Sequence, residues 1–445
     1  MASAAEQLAG NLNLGAFSKA TELKQRIWFT LLALMVYRLA TYIPLPGIDP
    51  VALEQMFSQN STGILGMLDL FNGGAIQRMS LIALGIMPYI SSSIIMQLMT
   101  SMSGKLKELK KEGEAGRRTI NQYTRYGTVI LCIVQAYAIS TGLESGIAIE
   151  PGMFFRMTTV ITLVGGTMFL VWLGEQITAR GVGNGISLII FAGIVAQLPV
   201  AIVSTLDMSA RGTLGGPLVI IALLLMVVAV IAIIVYFERA QRRVLIQYPK
   251  RQQANGMSQG EQSHMPLKLN TAGVIPPIFA SSLLMLPASL AGFTNENSPE
   301  WVTTMTALLG PGQPLYMLFY VAGIVFFCFF YTALVFNPEE TADNLKKYGG
   351  FIPGIRPGKN TSKYLDYVLT RLTVVGAIYL CAICLLPEIL RAQYAIPFYF
   401  GGTSLLIVVN VTMDTVGQIH SHLMAHQYEG LMKKSKLRGG KRRRK

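Results

Sequence analysis

Three groups of residues in this chain have types and spacings that chemistry uses. Cys381 and Cys384 form a C-x-x-C pair, the arrangement of dithiol redox centres. His420, His422 and His426 place three imidazoles, a common transition-metal ligand, in one short stretch. Gly181-Val182-Gly183-Asn184-Gly185 has the glycine density of a phosphate-cradling loop. Each group fails on its surroundings. The cysteines lie inside an apolar run without the strand-to-helix context of redox chemistry, and read as small packing residues. Only His422 and His426 share a helical face, and no carboxylate or third ligand stands beside them. The glycine loop lacks the lysine and hydroxyl of G-x-x-x-x-G-K-[ST]. No catalytic constellation, cofactor or metal site is expected, so the chain is read as a non-enzyme.

The elements around these residues say more. Of 445 residues, 52% are hydrophobic and 13% charged, against roughly 25% charged in a soluble domain. Apolar stretches recur along the whole chain, at about 27–43, 79–101, 121–141, 155–173, 186–205, 217–237, 272–291, 315–336, 368–387 and 397–414. Lipid cannot satisfy backbone hydrogen bonds, so runs of this length predict ten membrane-spanning helices rather than barrel strands. The first run follows a polar stretch and precedes Pro44-Leu45-Pro46-Gly47, which marks it as a span and not a cleaved signal. Four cysteines make no disulfide framework.

The formal charge is +14, and the basic residues fall on alternate loops. One side holds Lys19, Lys24 and Arg26, the cluster from Lys105 to Arg118, Arg180, the loops around Arg239–Lys268 and Lys346–Lys363, and the tail. The opposite loops hold only Arg78, Arg156, Arg211 and Arg391. The positive-inside rule then predicts both termini in the cytoplasm. The tail, 436–445, has nothing to bury; it is expected to be disordered and to touch anionic lipid or RNA.

Ten spans divide into two halves of five, inverted if related. The second span carries Pro88 and Ser91-Ser92-Ser93, and its counterpart, the seventh, carries Pro276-Pro277 and Ser281-Ser282. Proline-interrupted helices at matching places point to a functional midplane, and serines let helices approach closely. No span has an ionisable residue near its centre: Arg38, Arg125, Glu175, Arg371 and Asp414 all lie near span ends. That weighs against a secondary transporter of a small solute, the competing class, because ion coupling ordinarily needs an intramembrane carboxylate or a broken-helix ion site. A pore-free membrane scaffold is a third class. Residues 61–76 hold a half-length apolar helix ended by Asn72-Gly73-Gly74, too short to span. It is either re-entrant or lies on the outer surface.

Five blocks resemble the bacterial SecY family of translocon channels. They are KKEGEAGRRTINQYTRYGT (110–128), GTMFLVWLGEQITARGVGNGIS (166–187), NPEETADNLKK (337–347), FIPGIRPG (351–358) and PFYFGGTSLLIVV (397–409). The similarity runs from about residue 20 to about 432. It implies an all-α integral membrane protein, ten helices in two inverted five-helix halves, hinged like a clamshell at the loop between spans 5 and 6. The parts are then a cytoplasmic N-terminal segment (1–26), a first half (27–205), an external hinge loop (206–216), a second half (217–414) and a basic tail (415–445). Such channels pass unfolded secretory chains across the bacterial inner membrane and release membrane segments sideways, between spans 2–3 and 7–8.

The resemblance also implies site residues. The family's pore ring of isoleucines matches Ile86, Ile90, Ile190, Ile278 and Ile407. The short helix matches the plug that closes the funnel from outside, with Ile64, Leu65, Met67, Leu68, Leu70 and Phe71 as its apolar residues. The loops at 238–270 and 338–366 match docking surfaces for the ribosome or the SecA motor, carrying Arg239, Arg242, Arg243, Lys250, Arg251 and Arg356. SecE, SecG, signal peptides and nascent chains are the other implied partners, with the lipid bilayer around them. Asn410 departs from expectation: it puts an amide deep in the tenth span, with no evident partner.

Overall fold

The computed structural model describes residues 21–53, 55, 69, 72–144, 147–210, 217–248, 252–253, 256–257, 262–291, 313–394 and 401–441. The first helices are α1 (Thr21–Ala40), α2 (Met87–Met102), α3 (Gly104–Lys111), α4 (Glu114–Glu144), α5 (Met153–Arg180), α6 (Gly185–Ala210) and α7 (Pro217–Arg239). Strands β1 (Gln241–Gln247), β2 (Gln252–Gln253), β3 (Gly256–Met257) and β4 (Gln262–Lys268) follow. Then come α8 (Ile275–Ala291), α9 (Pro314–Val335), α10 (Pro338–Lys347), α11 (Lys359–Tyr394) and α12 (Gly402–Lys441).

Among the described residues, six stretches are long and apolar enough to cross a membrane: Glu114–Glu144, Met153–Arg180, Gly185–Asp207, Ile221–Arg239, Pro314–Lys347 and Lys359–Leu390. The other four expected spans fall on α1, α2, α8 and α12. α2 and α8 have 16 and 17 residues, or about 25 Å, short of a hydrocarbon core of roughly 30 Å. Both are entered through a glycine in left-handed backbone, Gly85 (φ 58°) and Gly273 (φ 65°). Residues 72–86, expected in part to be helix, form turns closed by bonds such as Gly85 N–H to Ile82 O (2.8 Å). The prolines therefore do not interrupt these helices. Pro88, Pro276 and Pro277 stand in the first turns, where the missing N–H has no partner to lose.

Small residues set the packing. Ser92 Oγ donates to Thr124 O (2.7 Å) across the α2–α4 contact. The facing Gly127 has space for no side chain, since its Cβ would meet Ser92 Oγ at 2.5 Å. Gly166 of α5 lies against the Leu81 carbonyl, and Gly402 of α12 against that of Ile383. The largest apolar core includes Ile86, Ile90, Ile190, Ile194, Leu405, Leu406 and Ile407, so it joins α2, α6 and α12.

One addition and one correction lie outside the apolar bundle. The all-α architecture holds, and the loop at 238–270 adds a hairpin to it, β1 pairing antiparallel with β4 from Gln241↔Lys268 to Gln247↔Gln262. The alternation that builds the strand is present in the sequence, because Val244 and Ile246 are buried between exposed or half-buried neighbours. Secondly, α12 runs for 40 residues to Lys441, so the expected disorder from 436 does not hold over 436–441. Between Met413 and Arg438 there is no proline, and glycine stands only at 417 and 430; nothing stops the helix.

Candidate functional site

Ile86 is the N-cap of α2 and Ile90 lies one turn along it. Ile190 sits in α6, Ile278 in the first turn of α8, and Ile407 near the start of α12. All five line one cavity of about 20 Å³, room for roughly one water. Ile86, Ile90, Ile190 and Ile407 are buried and Ile278 is half-buried. Tyr37, Asn72, Ile82, Gly85, Met87, Leu170, Ile189 and Ser281 complete the wall. Sequence reasoning missed Ile82 and Asn72 because they lie in turns, where no periodicity shows which way a side chain faces.

Above this constriction lies a larger cavity of about 310 Å³, which shares Ile190, Ile278 and Ile407 with it. Its other walls mix polar residues, among them Asn184, Ser187, Glu238, Lys268, Asn270, Asn410, Asp414 and Gln418, with apolar ones such as Val274, Ile275, Val335 and Val411. Glu238 at the end of α7 and Lys268 at the end of β4, the two feet of the basic hairpin loop, are part of its wall. Asn410 is thereby explained, since it lines this polar cup with other polar residues. Asn270 is buried and donates to Glu238 Oε1 (2.7 Å) and Gly273 O (3.0 Å), which fixes the entry to α8.

Below the constriction the Asn72-Gly73-Gly74 turn is held from several sides. Asn72 Nδ2 donates to Ala83 O (2.8 Å), and Arg38 Nη1 donates to Gly73 O (2.6 Å). Gly73 and Gly74 take φ of 65° and 85° and press against Gly193 and Gln197 of α6. Asp69 accepts from the N–H groups of Ile76 (2.8 Å) and Gln77 (3.0 Å). Burial nevertheless pushes its carboxyl above the usual carboxylate range. Ile64, Leu65, Met67, Leu68, Leu70 and Phe71 lie outside the described residues.

α2 and α8 meet beside the constriction, where Ser282 Oγ of α8 donates to Met87 Sδ of α2 (3.7 Å). Arg239, Arg242, Arg243 and Arg356 are exposed, whereas Lys250 and Arg251 lie outside the described residues. The two basic loops are one unit. Gln247 and Phe351 exchange backbone hydrogen bonds (2.9 and 3.0 Å). Val244 and Leu267 also share an apolar core with Ile352, Leu365 and Leu369. Cys384 is buried and Cys381 half-buried within α11. His420 and His422 are exposed on α12. Among the described residues no three His, Cys, Asp or Glu side chains come together as metal ligands.

The SecY family model matches residues 80–416. The chain is 57% identical to the protein translocase subunit SecY of Rickettsia conorii, over 95% of this chain and 99% of that one. It is 54% identical to the protein translocase subunit SecY of Escherichia coli K12, over 94% and 96%. Among solved structures it resembles Sec61 in a canine ribosome–channel complex from the endoplasmic reticulum, with a TM-score of 0.59 and 19% identity over 89% of this chain and 92% of that one. At that identity the likeness speaks for the fold alone.

Proposed function

The chain belongs to the SecY family and is the channel-forming subunit of a protein translocon, not an enzyme; from that premise we propose that Ile86, Ile90, Ile190, Ile278 and Ile407 are its pore ring. The observation that carries this reading is that five isoleucines from four helices meet at one cavity with space for a single water, beneath a polar cup. β-Branched side chains are stiff, so they make a firm apolar constriction that dewets and resists ions. A ring without charge has nothing with which to hold a passing chain. It seals and it slides, and the energy for movement comes from a partner.

In this reading the two five-helix halves are 27–205 and 217–414, joined by the external loop 206–216, with both termini in the cytoplasm of a bacterium and the channel in its inner membrane. The polar cup faces the cytoplasm and receives unfolded secretory chains with their signal peptides. Membrane segments leave sideways between α2 and α8, where the Ser282–Met87 contact is weak because a thioether is a poor acceptor. Residues 61–74 are the plug below the ring, and the seating of Asn72-Gly73-Gly74 supports that role. The test is single-channel conductance in planar bilayers, comparing the intact channel with one lacking residues 61–74. Large, unselective openings on deletion are expected. Silence from both, with each folded and inserted, would remove the plug and force the pore to be rebuilt; saturable uptake of a small solute would revive the transporter.

The joined basic loops are the docking platform for SecA or the ribosome, with SecE and SecG as lateral subunits. Ribosomal RNA is a polyanion, so docking there is salt-sensitive. Arg356→Glu, or Arg242→Glu with Arg243→Glu, is expected to weaken docking by roughly five- to tenfold at low salt, less at high salt, with membrane insertion unchanged. Equal binding by variant and parent across a salt series would exclude these arginines.

A further inference from the structure

We infer that Arg38, Tyr42 and Arg78 form a site on the outer face of the channel for the phosphodiester of an anionic lipid, an inference that rests on the orientation and the plug seat read above. Arg38 stands in the last turn of α1, Tyr42 just beyond that helix, and Arg78 in the turns that lead to α2. Both guanidiniums lie over the Tyr42 ring, their central carbons 5.3 and 4.2 Å from its centroid. No more than about 10 Å then separates two like charges, about one Debye length at 0.1 M salt. Among the described residues the ion pairs are Arg125–Glu175 and Arg156–Glu144, so neither Arg38 nor Arg78 has a carboxylate in salt-bridge contact. Asp69 is the acid whose field reaches both, and its Oδ1 already accepts from the N–H groups of Ile76 and Gln77. The helix dipole accounts for a cation at Arg38. It does not account for Arg78.

Chemistry and position choose the ligand. Basic residues are sparse in outer loops, and Arg78 is one of the four arginines that the charge pattern assigns to that side. Its turn carries backbone strain as well. Met79, the next residue, is buried at φ 40°, a left-handed conformation that is costly for any residue with a side chain. With that kink Met79 lies in the core and Arg78 in the open. The planar fork of an arginine matches the oxygens of a phosphate. Leu39, Tyr42 and Ile43 are each more than half exposed, so acyl chains cover the two aliphatic side chains while the phenol stays at headgroup depth. A water-soluble anion would gain nothing from those apolar neighbours. Arg38 links the site to the seat of the plug, because its Nη1 also donates to Gly73 O (2.6 Å). A headgroup that neutralises the pair relieves the repulsion on Arg38 and so steadies the Asn72-Gly73-Gly74 turn.

The test uses the full channel complex and two readouts. Phosphatidylglycerol retained after delipidation is counted by native mass spectrometry, in the parent and in Arg78→Gln. The parent is expected to hold a lipid that the variant loses, with about tenfold tighter binding, the worth of one charge-assisted pair, and the difference shrinks in high salt. Equal retention would overturn the site whatever the chain conducts, so this arm does not depend on the channel reading. Resting conductance is then compared in phosphatidylcholine bilayers with phosphatidylglycerol in the outer leaflet, in the inner leaflet, or in neither. Outer-leaflet lipid is expected to lower the parent's conductance severalfold and to leave Arg78→Gln unchanged. Arg78→Lys keeps the charge, loses the fork and should fall between. The same drop from inner-leaflet lipid would overturn the outer site. A drop from inorganic phosphate added outside, without anionic lipid, would overturn a lipid as the ligand. If Arg78→Gln already leaks in plain phosphatidylcholine, Arg78 is a structural support of the turn and its binding role falls. Retention that depends on Arg78 with no change in conductance would confirm the site and sever it from the seal.

Discussion

Replacing Ile86, Ile190, Ile278 and Ile407 together with serine is expected to raise the resting ion conductance of the channel by about tenfold or more. The four residues come from four different helices and surround a cavity of about 20 Å³. Each replacement shortens a wall and brings in a hydroxyl, so a site that holds one water becomes a continuous wet path. Removing buried isoleucine side chains also destabilises, by about 2–5 kcal/mol for a full truncation in a closed core. A parallel set of Ile→Val replacements separates the two effects, since it keeps the ring apolar and is expected to conduct like the parent. Unchanged conductance in the serine variant, with the protein inserted and folded, would sink the gasket assignment.

Gly85→Ala is expected to damage both the stability and the seal of the channel. Gly85 takes φ 58°, a conformation that costs an L-residue about 1–2 kcal/mol. A Cβ there would also run into the Asn72 carboxamide, which is buried and donates to Ala83 O at 2.8 Å. Displacing that amide forfeits a bond worth about 1 kcal/mol and leaves the Ala83 carbonyl buried without it. The combined cost is about 2–4 kcal/mol, enough to unseat the turn beneath the ring in a large fraction of molecules. The checks are thermal unfolding in detergent and resting conductance. Adding Asn72→Gly to Gly85→Ala removes the clash and leaves only the backbone strain, so the double variant should recover part of the loss. If Gly85→Ala alone matches the parent on both measures, Asn72 is not a fixed part of the seal.

How much of this was legible before folding depends on whether a property is local. The membrane class follows from hydropathy alone, because burying twenty apolar residues in lipid needs no knowledge of neighbours. The orientation expected from Lys and Arg likewise concerns loops one at a time. The β1–β4 hairpin is a partial case: Val244 and Ile246 alternate correctly, yet the loop's charge and polarity masked a strand that closes only when Leu267 and Ile352 cover its apolar face. The prolines are another. Pro88 and Pro276-Pro277 were visible at matching positions, but a proline that breaks a helix and one that begins it look alike in sequence.

The amino-acid sequence by itself determined that this chain is a helical membrane protein whose basic residues gather in alternate loops. Periodicity and charge are read residue by residue against water or lipid, so no partner is needed to decide them. Only the tertiary structure decided that isoleucines at 86, 90, 190, 278 and 407 share one cavity, that Asn410 lines a cavity with other polar residues, and that Gly183 donates to Gln418 of α12. Those are contacts between residues separated by up to hundreds of positions. Which apolar side chain meets which is set by helix packing and by the glycines that permit close approach, and an isoleucine bound for a pore carries the same hydrophobic signal as one bound for lipid.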